Sequence, residues 1–175
     1  MTDGKDLGHV KFESGLMQQA MFLPDGRAAV LVSDGRGQYR FMSVPDGKEI
    51  WKASPESRVY GVAIVPGGQI LVVSGDEDTL KFLDVRTGRE LRSLPGPWRA
   101  DTFSFSRDGR VMLAWSLTGI TYDLTSGRKM APIGYPGEGN AGWIDAAALS
   151  PDGRRVVISP RGGVGSASRI VDAHT

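Results

Sequence analysis

The sequence predicts an all-β protein in which a four-stranded antiparallel unit recurs four times, and three observations predict it. Two series of turn signals recur in phase along the 175 residues. Short runs rich in β-branched and aromatic residues separate those turns, and helical spacing is sustained nowhere. The 24 glycines and 10 prolines are spread among the runs instead of gathered in a tail, which favours many short elements joined by tight turns.

The first turn series is Pro24-Asp25-Gly26, Pro66-Gly67-Gly68, Arg107-Asp108-Gly109 and Pro151-Asp152-Gly153, whose last glycines lie 42, 41 and 44 positions apart. The second is Gly4, Gly47, Gly88 and Gly127, each followed by Lys or Arg and spaced by 43, 41 and 39 positions. Pro presets φ, Asp bonds its own nearby backbone, and Gly accepts the left-handed conformation that closes a hairpin. Runs such as Val59 to Val65, Ile70 to Ser74 and Leu80 to Val85 are the strands between them. Four strands in a repeat of about 40 residues are the size of one β-propeller blade, giving a single propeller domain with units at about 4–46, 47–87, 88–126 and 127–175.

Composition narrows the function classes. With 40% hydrophobic residues the chain can bury a core without disulfides or metal. Twenty-one Lys and Arg against 20 Asp and Glu leave a net charge of +1, so no global charge draws it to nucleic acid or anionic lipid. Zero cysteines exclude thiolate catalysis and cysteine-ligated metal. No apolar stretch nears the roughly 20 residues that cross a bilayer, and Met1 to Phe12 is polar; the expectation is a soluble chain, assigned to the cytoplasm, with no membrane partner.

The stretch from Val59 to Leu91, VYGVAIVPGGQILVVSGDEDTLKFLDVRTGREL, resembles one whole repeat of the WD-repeat family. The resemblance places the terminal Trp-Asp pair of that family at Met42-Ser43, Leu83-Asp84, Tyr122-Asp123 and Val171-Asp172, with Trp never kept and Asp kept three times. A Gly-His before the innermost strand is missing from every unit, so the hydrogen-bond tetrad usual in the family cannot form, and the chain is similar to a divergent member.

Asp3-Gly4-Lys5-Asp6-Leu7 matches Asp46-Gly47-Lys48-Glu49-Ile50, so the sequence begins at the turn before an outer strand. Each unit therefore supplies the outer strand of one blade and the three inner strands of the next. Asp6 to Glu13 is expected to latch onto the blade begun by Trp143 to Asp172. Four such blades are few for a ring, which leaves a homodimer completing an eight-bladed ring, slightly favoured, or a part of a longer propeller.

Function on a propeller lies in loops and at the channel mouth, because strands are committed to the core. Candidate partner-binding residues are Arg58 and Tyr60; Trp98, Arg99 and Asp101; Trp143 and Asp145; and, in the long loop GYPGEGNAG, Tyr135, Glu138 and Asn140. Tyr, Trp and Arg dominate interface hot spots. Trp51 and Trp115 are expected to pack between blades. Asp76-Glu77-Asp78 reads as an ordinary charged turn sooner than a cation site, and Pro160 to Ser166 lacks the Gly-Lys-Ser/Thr ending of a phosphate loop. His9 and His174 sit at the extremes, and no triad is visible. The expectation is a non-catalytic scaffold without cofactor or metal that binds a protein or peptide. A small-ligand or enzymatic propeller, and a fragment without its own ligand, are the alternatives.

Overall fold

The computed structural model describes residues 16–23, 25–33, 39–53, 58–76, 78–97, 99–134, 143–161 and 167–175. Among them the chain is all-β. Fifteen strands form four separate antiparallel meanders. Sheet one holds β1 (Leu16–Phe22), β2 (Ala28–Ser33), β3 (Tyr39–Val44) and β4 (Glu49–Ala53). Sheet two holds β5 (Val59–Ile64), β6 (Ile70–Gly75), β7 (Thr79–Asp84) and β8 (Glu90–Pro95). Sheet three holds β9 (Thr102–Phe105), β10 (Val111–Trp115), β11 (Gly119–Asp123) and β12 (Arg128–Ile133). Sheet four holds β13 (Ile144–Leu149), β14 (Arg155–Pro160) and β15 (Arg169–Asp172). The expected latch strand, Asp6 to Glu13, and the Gly4 turn lie outside the described residues.

Both turn series close as their chemistry predicts. Gly26, Gly68, Gly109 and Gly153 have φ of 81°, 72°, 70° and 72°, and Gly47, Gly88 and Gly127 have 63°, 69° and 74°. At Gly88 the need is double, because a Cβ there would also stand 2.7 Å from the Trp51 ring. The Asp that ends the third strand builds the second turn: Asp84 Oδ1 accepts from the amides of Arg86 (3.0 Å) and Thr87 (2.8 Å), and Asp123 Oδ1 from those of Thr125 (2.8 Å) and Ser126 (3.2 Å). Sheet one uses Ser43 there, and its hydroxyl donates to Asp46. Its first turn is also tighter: the Leu23 amide donates to Arg27, four residues on, where Val65, Ser106 and Ser150 reach Ile70, Val111 and Arg155, five on.

Among the described residues the core consists of three layers between successive sheets. One cluster joins sheets one and two through Leu31, Phe41, Trp51, Val62 and Leu71; a second joins two and three through Val72, Phe82, Met112 and Tyr122; a third joins three and four through Leu113, Trp115, Val156 and Ile158. Alternation along each strand sends neighbours to opposite faces, so Leu71 serves the first layer and Val72 the second. Polar stitches cross the same seams. Tyr39 OH accepts from the Val59 amide (2.6 Å), Trp51 Nε1 donates to the Val85 carbonyl (2.8 Å), Tyr122 OH donates to the Pro95 carbonyl (2.9 Å), and Thr121 Oγ1 donates to the Ala173 carbonyl (2.6 Å). Each buried large side chain contributes about 1.5–3 kcal/mol, and each stitch spares a buried polar group the cost of going unpaired.

Candidate functional site

The described candidate residues lie at the end of sheets two, three and four where the first strand begins and the second ends. In sheet two, β5 starts at Val59 and pairs with Gly75, then Gly61 pairs with Ser74, so Tyr60 is the extra residue of a β-bulge. A bulge re-aims the side chain it carries. Asp145 is the extra residue at the matching place in β13, between Ile144 paired with Pro160 and Ala146 paired with Ser159.

Around Tyr60 the chain gathers a compact polar cluster. Its phenol donates to Asp76 Oδ1 at 2.7 Å, and Arg99 Nη2 donates to the same oxygen at 3.2 Å. The Arg58 amide donates to Asp76 Oδ2 at 3.3 Å. The guanidinium groups of Arg99 and Arg58 stand 4.8 and 5.6 Å from the Tyr60 ring centroid. Arg99 arrives from the segment that enters sheet three, and its φ of 50° is a left-handed conformation that non-glycine residues seldom hold. The close approach of the two sheets here leaves Gly61 no room for a side chain, since a Cβ would stand 2.6 Å from the Ala100 carbonyl oxygen.

The Tyr60 hydrogen bond, helped by the Arg58 amide and the Arg99 charge, holds the Asp76 carboxyl below its ordinary value. The same bond raises the Tyr60 phenol. Two guanidinium groups and one carboxylate thus stand around the Tyr60 ring at a partly exposed surface.

Arg58, Tyr60 and Arg99 are thus brought together as one group. Asp101 is exposed and accepts from the Thr102 hydroxyl at 3.0 Å. Trp143 is half-buried at the equivalent end of sheet four, with the Arg161 guanidinium 5.8 Å from its ring, and Asp145 beside it is exposed. Trp98, Tyr135, Glu138 and Asn140 lie outside the described residues. Sequence reasoning missed the anchoring role of Asp76 and the pairing role of Arg161. Both follow the second strand of their sheets directly, a positional signal that the repeat alignment carries.

Trp51 and Trp115 pack between sheets, Trp51 stacked on Phe41 with ring centroids 5.1 Å apart. Asp76 is engaged by Tyr60 and Arg99, and among the described residues no three His, Cys, Asp or Glu side chains gather to hold a metal ion. No helix among those residues is long and apolar enough to cross a membrane. A cavity of about 410 Å³ opens at the opposite end, between sheets one and two, lined by Asp25, Arg27, Gln69, Asp84 and Arg86 together with apolar Leu23 and Ile50.

Repeated four-stranded meanders packed face to face define a protein of the β-propeller class. Residues 1–166 match the family described as outer membrane protein assembly factor BamB, a β-propeller-type repeat family, and the chain belongs to it. The propeller-type repeat expected from the WD resemblance therefore holds, while the match gives no support to WD-repeat membership itself. No curated protein matches the chain in sequence.

Proposed function

We propose that this chain is a non-catalytic propeller scaffold that docks an acidic segment of a partner protein on the Arg58, Tyr60, Asp76 and Arg99 cluster. The observation that carries the reading is the placement of two guanidinium groups against one tyrosine ring on a bulged strand, braced by a single carboxylate. Tyr and Arg held in a fixed geometry lose little freedom on binding, which is how a rigid scaffold gains affinity from few contacts. The description of the family as an assembly factor supports a protein as the partner and makes a component of outer membrane protein assembly the first to try.

Calorimetric titration of a glutamate-rich peptide, against the same peptide with glutamine in place of glutamate, tests the reading. The acidic peptide binds and weakens as salt rises, and Arg58→Ala with Tyr60→Ala lowers its affinity by about tenfold or more, equivalent to about 1.4 kcal/mol. Equal binding of both peptides, or an affinity indifferent to the double variant, would count against it.

A further inference from the structure

Asp-Gly pairs stand at six places in the sequence, and four of them lie among the described residues: Asp25-Gly26, Asp46-Gly47, Asp108-Gly109 and Asp152-Gly153. Asp3-Gly4 and Asp34-Gly35 lie outside the described residues. Such a pair can react with itself. The glycine amide nitrogen attacks the aspartate Cγ, the carboxyl hydroxyl leaves as water with the amide proton, and a succinimide ring closes. Glycine permits this most readily, because it has no Cβ to crowd the ring. Water then adds to either imide carbonyl: cleavage of the Cγ–N bond restores aspartate, and cleavage of the main-chain bond leaves isoaspartate, with the backbone rerouted through the side chain. No oxidant or other reactant is needed.

The turns hold the reacting atoms apart. Each of these glycine amides donates to a carbonyl: Gly26 to Leu23 (2.9 Å), Gly47 to Ser43 (3.1 Å), Gly109 to Ser106 (3.0 Å) and Gly153 to Ser150 (2.9 Å). The carboxyls are held as well, and here the four differ. The Ser106 and Ser150 hydroxyls donate to Asp108 and Asp152 at 2.7 and 2.6 Å, and the same oxygens accept from the Val111 and Arg155 amides, both at 2.9 Å. Ser43 donates to Asp46. Leu23 stands where those turns have Ser106 and Ser150, so Asp25 is held instead by the Arg27 amide at 3.0 Å and by Arg27 Nε and Nη2, both at 2.8 Å. A serine hydroxyl moves only with the hairpin that it staples, whereas a guanidinium on a long side chain lets go at little cost. All four carboxyls lie below their ordinary value, through the Arg27 amide first at Asp25 and the serine hydroxyls first at the others, which keeps the reactive protonated form scarce.

We propose that Asp25-Gly26 is the first of these four pairs to become isoaspartate in the folded chain, and that the serine staples keep Asp46, Asp108 and Asp152 intact. The hairpin of β1 and β2 then carries an extra main-chain carbon at the turn that sets its register, so the change loosens sheet one before the others. The inference is independent of the loop-end cluster.

The test is to age the whole chain, native and in guanidinium chloride at the same neutral pH, and to follow each pair by peptide mapping that separates isoaspartyl from aspartyl peptides of equal mass. Labelling with an isoaspartyl methyltransferase and S-adenosylmethionine confirms the product. In denaturant the four pairs react at similar rates, since each has lost its partners. In the native chain all four slow, and Asp25 leads the other three by about threefold or more, the factor that one net hydrogen bond supplies. Ser106→Ala raises the native rate at Asp108 and Ser150→Ala raises it at Asp152, each with the other three rates unchanged, so that unfolding is not the cause. Equal native rates at the four pairs, or a lead by any pair other than Asp25, would overturn the proposal. So would serine variants in which the unstapled aspartate keeps its rate, or in which all four rates rise together.

Discussion

Val72 with Phe82 in sheet two and Val157 with Ile170 in sheet four occupy one register position, yet the first pair is sealed and the second is open. In both, a valine of the second strand pairs antiparallel with an apolar residue of a third strand that ends in Asp. The difference teaches that burial in this fold is set by the neighbouring sheet, not by the sheet that carries the residue. A sheet is half a core layer on each face, and the layer exists only where a second half meets it.

The largest effect that sharpens this contrast is in the two aromatic and aliphatic partners. Phe82→Ala leaves a cavity between two sheets and costs about 3–5 kcal/mol in chemical denaturation, while Ile170→Ala costs under about 1 kcal/mol. Comparable losses would break the comparison. The next pair is Gly88 and Gly26. Both need positive φ, but a Cβ at Gly88 would strike the Trp51 ring, whereas one at Gly26 meets nothing within 4 Å. Gly26→Ala costs about 1 kcal/mol from the backbone alone, and Gly88→Ala costs more and quenches or shifts Trp51 fluorescence.

Much of the fold is legible in the sequence, because turn geometry demands particular residues at particular places. The two glycine series, the aspartates beside them and the strand-rich runs each carry their own local reason, and they locate the hairpins. Arg58, Tyr60 and Arg99 are also legible as residues of one face. The role of Asp76 is not, because it depends on a bulge that turns Tyr60 toward a residue 16 positions away and on Arg99 reaching across from the next sheet. Nor can the openness of Val157 and Ile170 be read from residue type, since apolar residues at alternate positions look alike whether or not a second face covers them.

A smaller effect concerns acid. Asp25, Asp84, Asp108, Asp123 and Asp152 are held below the ordinary value of 3.8, by backbone hydrogen bonds first at Asp25 and Asp123 and by side-chain hydrogen bonds first at Asp84, Asp108 and Asp152. The folded chain thus binds fewer protons than the unfolded one in that range. The stability they lend is complete above pH 3.8 and is lost as pH falls through their lowered values. Denaturation midpoints should therefore drop on acidification, and Asp84→Asn should remove part of the slope. The smallest effect is at the loop end, where Tyr60→Phe frees the Asp76 carboxyl to titrate nearer its ordinary value by carbon-13 NMR, with global stability almost unchanged.

Methyl and aromatic nuclear Overhauser contacts on a side-chain-labelled sample test the layered packing most directly. Contacts are expected between sheets one and two, two and three, and three and four, such as Leu31 to Leu71, Val72 to Met112 and Leu113 to Val156. Contacts that skip a sheet, as between Phe41 and Met112, would contradict it.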